Sequence, residues 1–509
     1  MHLNAATPQF MAKTFHAEGN SWRSQFTPKA IHYTIHQIQR IKTMLFSSLE
    51  FLFLYILISL PLYFIVPMKW RCAVLLTVSL IFYGWGEPIY VFLMIFTIAA
   101  DYFFGLMVAK HRDTKKCKAW LIAALVFNLS ILAFFKYCDF FIINLSRIPA
   151  LSSLEPLGIE LPIGISFYTF QALSYVIDVY RQDTEAQKDP VAFGTYVTLF
   201  PQLIAGPIVR YKDIDDQLTE REHSVALAAS GVRTFIAGLG KKVIIANTAG
   251  ALWAAASAIP DGERTVLAAW MGIFWYSIQI YFDFSGYSDM AIGLGKIFGF
   301  RFLENFNYPY ISRSVTEFWR RWHISLSSWF REYVYIPLGG NRVSKGRMYF
   351  NLFVVWFLTG FWHGSDWNFI LWGLYYFILL VIEKAFLGRL LEKIPRVFRH
   401  IYAILCIVFG WLLFVSEDIS EGFEYLKTMF GGGAGLFTRL DLYDAVRHLI
   451  FAAVAVVGAT PLPKKAFKWA YKKSRAAAVV GSVGAVLLVL LCTAYLVDST
   501  FNPFLYWNF

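Results

Sequence analysis

Residues 44–66 read MLFSSLEFLFLYILISLPLYFIV, an apolar run interrupted by one charged side chain, Glu50. A helix that spans the hydrocarbon core of a bilayer needs about 20 predominantly apolar residues, and residues 45–67 meet that requirement. The pattern recurs along the chain. Candidate spans continue at 71–84, 88–109, 119–145, 161–180, 190–208, 226–247, 264–298, 349–362, 366–386, 400–416, 445–461 and 477–497. Several are short or interrupted, the form that re-entrant segments take. The expectation is an all-α polytopic membrane protein with eleven or twelve crossings plus re-entrant or interfacial helices. Composition agrees: 57% of the 509 residues are hydrophobic and 16% charged, whereas soluble domains carry about 45–50% and about 25%. A disordered chain, a disulfide scaffold and an ordinary cytosolic enzyme are excluded.

The net charge of +12 is spread over short clusters between apolar runs, where cytoplasmic loops carry it, and not over one face of a folded domain as in nucleic-acid binders. Lys69 and Arg71, the stretch KHRDTKKCK (110–118) and the stretch KKAFKWAYKKSR (464–475) are such clusters. The positive-inside rule places all three in the cytoplasm, so the last span delivers residues 498–509 to the outside. Residues 1–43 then pose a conflict, because Lys13, Arg23, Lys29, Arg40 and Lys42 face only Glu18 and a basic tail should not sit outside. The expectation is a polar extension preceding a start at Met44, with a genuine disordered extension as the alternative. The five cysteines are scattered without metal-ligand spacing, so neither disulfides nor a metal site is expected.

Residues 301–347 depart from membrane logic, being aromatic yet dense in charge. At helical spacing Arg320, His323, Ser327 and Arg331 share one face, and Trp319, Trp322, Leu326, Trp329 and Tyr333 another. An interfacial helix accounts for that stripe but not for its histidine. His363 ends the apolar run NLFVVWFLTGFWHG. An ionisable residue at membrane depth is costly and marks a functional site by default, the alternative being a satisfied structural histidine at a helix end. Both histidines are flanked by tryptophan and lie beside backbone-loosening residues, Gly360 and Gly364 or the stretch Asn305 to Pro309. A neutral imidazole is the natural base for a hydroxyl attacking an activated acyl group. Asp283 and Asp289 in YFDFSGYSDMAIGLG (281–295) need partners at that depth, and Arg313, Arg320 or Arg321 are the expected ones. Gly293 and Gly295 read as helix-packing glycines. No Walker A, GxSxG, HExxH or dinucleotide motif follows a strand-like run.

From Met44 onward the chain resembles bacterial members of the membrane-bound O-acyltransferase (MBOAT) superfamily, in the branch that O-acetylates alginate, peptidoglycan and other polysaccharides. The likeness rests on MLFSSLEFLFLY (44–55), PIGISFYTFQALSYVIDVYR (162–181), FPQLIAGPIVRY (200–211), DFSGYSDMAIGLGKIFGFRFLENFNYPY (283–310), FWRRWHISLSSWFREYVYIPLGGNR (318–342) and FWHGSDWNFILWG (361–373). It implies helices around a central funnel. It also implies His363 as the signature histidine and His323 as a second catalytic histidine, with Arg320, Arg321, Trp322, Trp362 and Asp366 as candidate oxyanion or donor contacts. The end of the chain, FNPFLYWNF (501–509), matches the FxYxxF tail of this branch, which implies Tyr506 as an acyl relay; an aromatic-belt residue is the alternative.

The resemblance further implies a membrane O-acetyltransferase of the inner membrane that moves an acetyl group outward for modification of an exported or cell-wall polysaccharide. The implied donor is a cytosolic thioester, acetyl-CoA or an acyl carrier, and the implied acceptor system outside includes an SGNH-type O-acetyltransferase. No bound cofactor, metal or nucleic acid is expected. The alternatives are a D-alanyl or other acyltransferase of the same superfamily, and a transporter of an activated group.

Overall fold

The computed structural model describes residues 44–204, 206–498 and 505, and these are helical, with no strand among the described residues. The helices that position the site are α1 (Tyr90–Lys110), α2 (Lys115–Ser146), α3 (Ile165–Arg181), α4 (Val225–Gly240), α5 (Val266–Ile297), α6 (Val315–Trp319), α7 (Ile324–Phe330), α8 (Lys345–His363), α9 (Trp367–Ile382), α10 (Arg396–Val415) and α11 (Arg475–Asp498). Among the described residues six helical stretches are long and apolar enough to cross a membrane: α1, α2, Val225–Ser257, Trp367–Leu391, α10 and Ala476–Asp498. A seventh arises if Leu449–Gly458 and Leu462–Lys473, bent by 69° at their junction, count as one span. The chain is an all-α multi-pass membrane protein.

Other expected spans take a different form. The opening run becomes the shorter apolar helix Phe51–Ile65, with Pro61 inside it. Helix α3 buries Ser166, Thr169, Gln171, Ser174 and Asp178 together with its apolar residues. Helix α5 is buried on nearly every side from Trp275 to Gly295 and carries Gln279, Asp283, Ser285 and Ser288 inward. A hydropathy window sums apolar content and cannot tell a helix facing lipid from one enclosed by other helices. Here α5 is the central post: α4 packs against one side of it, and the segment 305–330 against another.

Close helix crossings hold this arrangement. A Cβ at Gly238 would lie 2.5 Å from the Gly286 carbonyl oxygen, and one at Gly231 2.5 Å from that of Gly293, so α4 and α5 touch backbone to backbone. Gly293 and Gly295 are packing glycines, the latter beneath the Phe302 ring. Helices α8 and α9 repeat the device: a Cβ at Gly360 would run into the Phe369 carbonyl oxygen, and one at Gly373 into that of Trp356.

The basic loops gather at one end of the bundle. Arg71 lies 3.3 Å from His223, Arg301 pairs with Glu222 at 3.2 Å, and Lys464 reaches Glu304 at 3.9 Å. Arg112, on the 110–118 loop, pairs with Glu185 at 3.4 Å. Helix α11 starts at this end and runs beside α4, with Leu488 against Gly240.

Gly360→Val should overpack the α8–α9 crossing and cost about 1–3 kcal/mol, read as a lowered melting midpoint in detergent by temperature-scanned gel filtration. Gly346→Ala, on the same helix with open space around it, should leave the midpoint unchanged or raise it.

Candidate active site

Helix α8 ends at His363 deep in the protein, and the end of a helix leaves carbonyl groups without intrahelical partners. Two residues of α2 supply them. The Tyr137 hydroxyl donates to the Phe361 carbonyl at 2.8 Å, and the Lys136 ammonium donates to the Trp362 carbonyl. The Lys136 Nζ also donates to Ser166 Oγ at 3.4 Å and lies 5.7 Å from the centre of the Trp362 ring. A cation at a helix C-terminus is favourably placed against the helix dipole. Tyr137 further stacks on Phe361 at 3.9 Å between ring centres. The turn that carries His363 is thereby held from α2, more than 220 residues away in sequence.

The His363 ring sits among Trp362, Trp372 and Phe414, with ring centres 5.0, 4.9 and 5.3 Å away. His323 packs against the same indole, 6.2 Å from the Trp362 ring centre. The edge of Phe284 packs on it at 4.7 Å. The two histidines, His363 and His323, are 3% and 1% exposed, so both sit in one enclosed aromatic site, the histidine chamber, against Trp362.

His323 is not on the exposed face that helical spacing suggested. The helix breaks there: His323 takes φ 45° between α6 and α7, a left-handed conformation that a residue with a β-carbon rarely adopts. The break turns its ring inward, while Arg320, Ser327 and Arg331 remain exposed. The conformation is held by pairing with the preceding segment, since Asn307 N–H donates to the Arg321 carbonyl at 2.9 Å and Ile324 N–H to the Asn305 carbonyl at 3.0 Å.

The Asn305 side chain fixes the state of the imidazole. Its Oδ1 accepts from the Ser325 backbone N–H at 3.2 Å and from Ser325 Oγ at 3.0 Å, and its Nδ2 donates to Ser288 Oγ at 3.1 Å. A backbone N–H can only donate, so the atom facing it is the carbonyl oxygen and the amide orientation follows. The same Oδ1 lies 3.1 Å from His323 Nδ1. In the neutral ring Nδ1 therefore carries the proton and Nε2 the lone pair. Nε2 is buried and has no hydrogen-bond partner among the described residues, and neither has the indole N–H of Trp362. A buried basic nitrogen and an unengaged N–H donor on neighbouring rings are the parts that proton transfer and oxyanion binding need.

The remaining candidates fall elsewhere. Trp322 is buried in the wall, against Trp411 at 4.7 Å and Phe306 at 5.1 Å. Arg321 bonds Glu317 Oε1 through Nε and Nη2, at 3.1 and 2.9 Å, and the Asn307 carbonyl through Nη1 at 3.0 Å. Burial pushes the Glu317 carboxyl up, but the Arg313 N–H and the Arg321 guanidinium outweigh it and hold it below the usual carboxylate range. Arg321 is thus committed to the turn. Arg320 is exposed, and Asp366 is exposed at the N-cap of α9. Neither belongs to the chamber. Tyr506 lies outside the described residues. The buried aspartate does not pair with an arginine: Asp283 pairs with Lys242, and Asp289 with Lys241 at 2.7 Å. The reason is the α4–α5 contact, which continues into the π-helical stretch Lys241–Ala246 and turns these two lysines toward α5. A cavity of about 320 Å³ lined by Trp275, Asp441, Asp444, Arg447 and His448 lies apart from His323 and His363.

Lys136, Asn305, Ser288 and Ser325 carry the site's geometry and were not singled out by their chemistry. Lys136 carried the one available signal, a charge inside the apolar run 119–145. The serines and the asparagine have none, because their role depends on which neighbours the fold supplies.

Among known proteins, the chain matches MBOAT, the membrane-bound O-acyltransferase family, over residues 129–419. It is 39% identical to the probable alginate O-acetylase AlgI of Azotobacter vinelandii, across 92% of this chain and 100% of that one. It is 35% identical to a peptidoglycan O-acetyltransferase of Helicobacter pylori, across 78% of this chain and 82% of that one. A teichoic acid D-alanyltransferase of Bacillus subtilis is 31% identical over 44% of this chain and 59% of that one. The family match contains Lys136, Asn305, His323 and His363 together. The chain belongs to the membrane-bound O-acyltransferase family and is a multi-pass membrane acyltransferase.

Proposed function

We propose that this protein is an O-acetyltransferase of the cytoplasmic membrane, carrying acetyl groups from a cytosolic thioester to the acetylation of an exported or cell-wall polysaccharide. The observation that carries the reading is the enclosed chamber in which His323 and His363 both pack against Trp362, with the His323 Nε2 lone pair oriented by Asn305. The relatives' names supply the chemistry: alginate O-acetylase and peptidoglycan O-acetyltransferase.

In the proposed reaction His363, assisted by His323, takes the proton of the acceptor hydroxyl as its oxygen attacks the thioester carbonyl. The Trp362 N–H supports the oxyanion of the tetrahedral intermediate. The carbon–sulfur bond then breaks, the imidazolium returns the proton to the departing thiolate, and an acetyl ester and a free thiol remain. The acceptor is the phenol of Tyr506. A second transfer, by an SGNH-type enzyme outside, moves the acetyl to a sugar hydroxyl and restores the phenol.

The basic end of the bundle faces the cytoplasm in this reading, which sets the end of α11 outside. Arg320, Arg331, Arg342, Lys345 and Arg347 are exposed on the segment that leads to the chamber and suit a phosphate-bearing donor such as acetyl-CoA.

Peptide mass spectrometry of the purified protein incubated with acetyl-CoA tests this directly. Wild type should gain an acetyl group on the C-terminal peptide, and His363→Ala and Tyr506→Phe should not. Absence of any adduct with a donor shown to be competent would remove the relay and leave direct transfer to a bound acceptor. Asn305→Ala should lower kcat about 10–100-fold, the size typical of losing an orienting partner, with the KM for acetyl-CoA little changed. The triple variant Arg342→Ala, Lys345→Ala, Arg347→Ala should do the reverse, raising KM with kcat nearly constant, as expected when only ground-state binding is lost.

A further inference from the structure

We infer that the buried Asp283–Lys242 pair is the docking clamp for the C-terminal tail, gripping the backbone at Leu505 so that the next residue, Tyr506, is delivered to the histidine chamber; this rests on the relay proposed for Tyr506.

The pair itself calls for an explanation. The Asp283 and Lys242 side chains are 1% and 2% exposed, and removing two charges from water costs about as much as their attraction returns. Such a pair is poor evidence for stability and better evidence for a specific recognition task. Lys242 sits in the π-helical stretch Lys241–Ala246, a departure from regular α-helix of the kind found at functional positions.

The carboxylate has a second partner. Lys242 engages Oδ1, and the Leu505 backbone N–H donates to Oδ2 at 2.9 Å. The Leu505 side chain packs on the hydrophobic core. A charge-assisted bond to a backbone N–H grips the chain irrespective of side chain, and Lys242 aims the carboxylate.

The location fits delivery. Asp283 is followed by Phe284, whose ring centre lies 4.7 Å from that of His323. Covalent geometry keeps the Cα of Tyr506 about 3.8 Å from that of Leu505. Leu488 of α11 lies level with Gly240, two residues before Lys242, and Asp498 ends the helix ten residues further on, about 15 Å beyond Leu488 at 1.5 Å per residue. Seven residues from there to Leu505 span at most about 25 Å, so Leu505 is within reach of the clamp from the end of the helix.

Hydrogen–deuterium exchange of the full-length protein in lipid nanodiscs, read on the peptide that contains residues 506–509, tests the clamp at both partners. Leu505→Pro deletes the N–H donor without touching the bundle, and Leu505→Ala keeps it. Leu505→Pro should speed exchange of this peptide at least tenfold, and Leu505→Ala should stay within threefold of wild type. At the acceptor, Lys242→Met with Asp283→Leu removes both charges together and should release the tail as Leu505→Pro does, while Lys242→Met with Asp283→Asn keeps an acceptor oxygen and should retain most of the protection. Unchanged peptides from α5 and α8 establish that the bundle is intact. If the double variant fails that check, Leu505→Pro decides alone. Fast exchange in wild type, or equal exchange in wild type and Leu505→Pro, overturns the clamp. The acetyl adduct is measured in parallel: a clamp-dependent tail without any adduct in wild type rejects the relay and keeps the clamp, whereas an adduct that persists in Leu505→Pro with unchanged exchange rejects the clamp and keeps the relay.

Discussion

A helix that stops inside an apolar body exposes carbonyl groups that water cannot reach, and each one left unpaired costs several kcal/mol by order of magnitude. Helix α8 stops in that way at His363, and the rest of the site is arranged around the remedy. Tyr137 and Lys136 of α2 meet the Phe361 and Trp362 carbonyls. Because those two donors are consecutive residues of one long helix, they fix both the depth and the rotation of the turn that bears His363. The α8–α9 crossing at Gly360 and Gly373 completes the constraint by bringing Trp372 against the imidazole. Lys136 is in this sense a positioning residue: it touches the carbonyl before His363 and sets where that ring can be.

The second histidine is placed by a different mechanism with the same logic. A left-handed residue between two short helices is strained, and the strain is offset by the backbone pairing of 305–307 with 321–324 and by the Asn305 carboxamide, which serves Ser288, Ser325 and His323 at once. One planar group therefore determines the ring's orientation and its tautomer. Catalysis by proton transfer depends on both, since a misplaced proton turns a base into a spectator.

The polar content of the membrane interior is distributed by need. Arg320 and Arg331, set on the same face as His323 by helical spacing, stay in solvent, and Arg321 is consumed by Glu317. Charges that do go inside meet specific partners: Lys136 the Trp362 carbonyl, Asp283 Lys242, Asp101 the Asn128 amide and Asp178 the Tyr333 hydroxyl. In a low-dielectric interior such choices are unforgiving; among these groups Lys136 holds the histidine turn and Asp283 the site at Leu505.

The amino-acid sequence by itself determined the environment and the class of chemistry. Apolar content and the spacing of basic loops require a polytopic helical protein, and two histidines beside tryptophan and backbone-loosening residues were legible as reactive. Gly293 was legible as a packing glycine because an apolar run has no phosphate to hold. What only the tertiary structure decided is who meets whom. Periodicity assumed one unbroken helix over 318–333 and so set His323 beside Arg320; the break at φ 45° reversed its direction, and no local signal announces a conformation that distant segments impose. The partners of Asp283 and Asp289 were equally hidden, since Lys242 and Lys241 lie on a different helical stretch far along the chain and an arginine nearer in sequence looks just as suitable. Hydropathy and spacing are properties of a residue and its neighbours along the chain. Hydrogen-bond direction, tautomer and charge pairing belong to neighbours across space, and those exist only once the helices have packed.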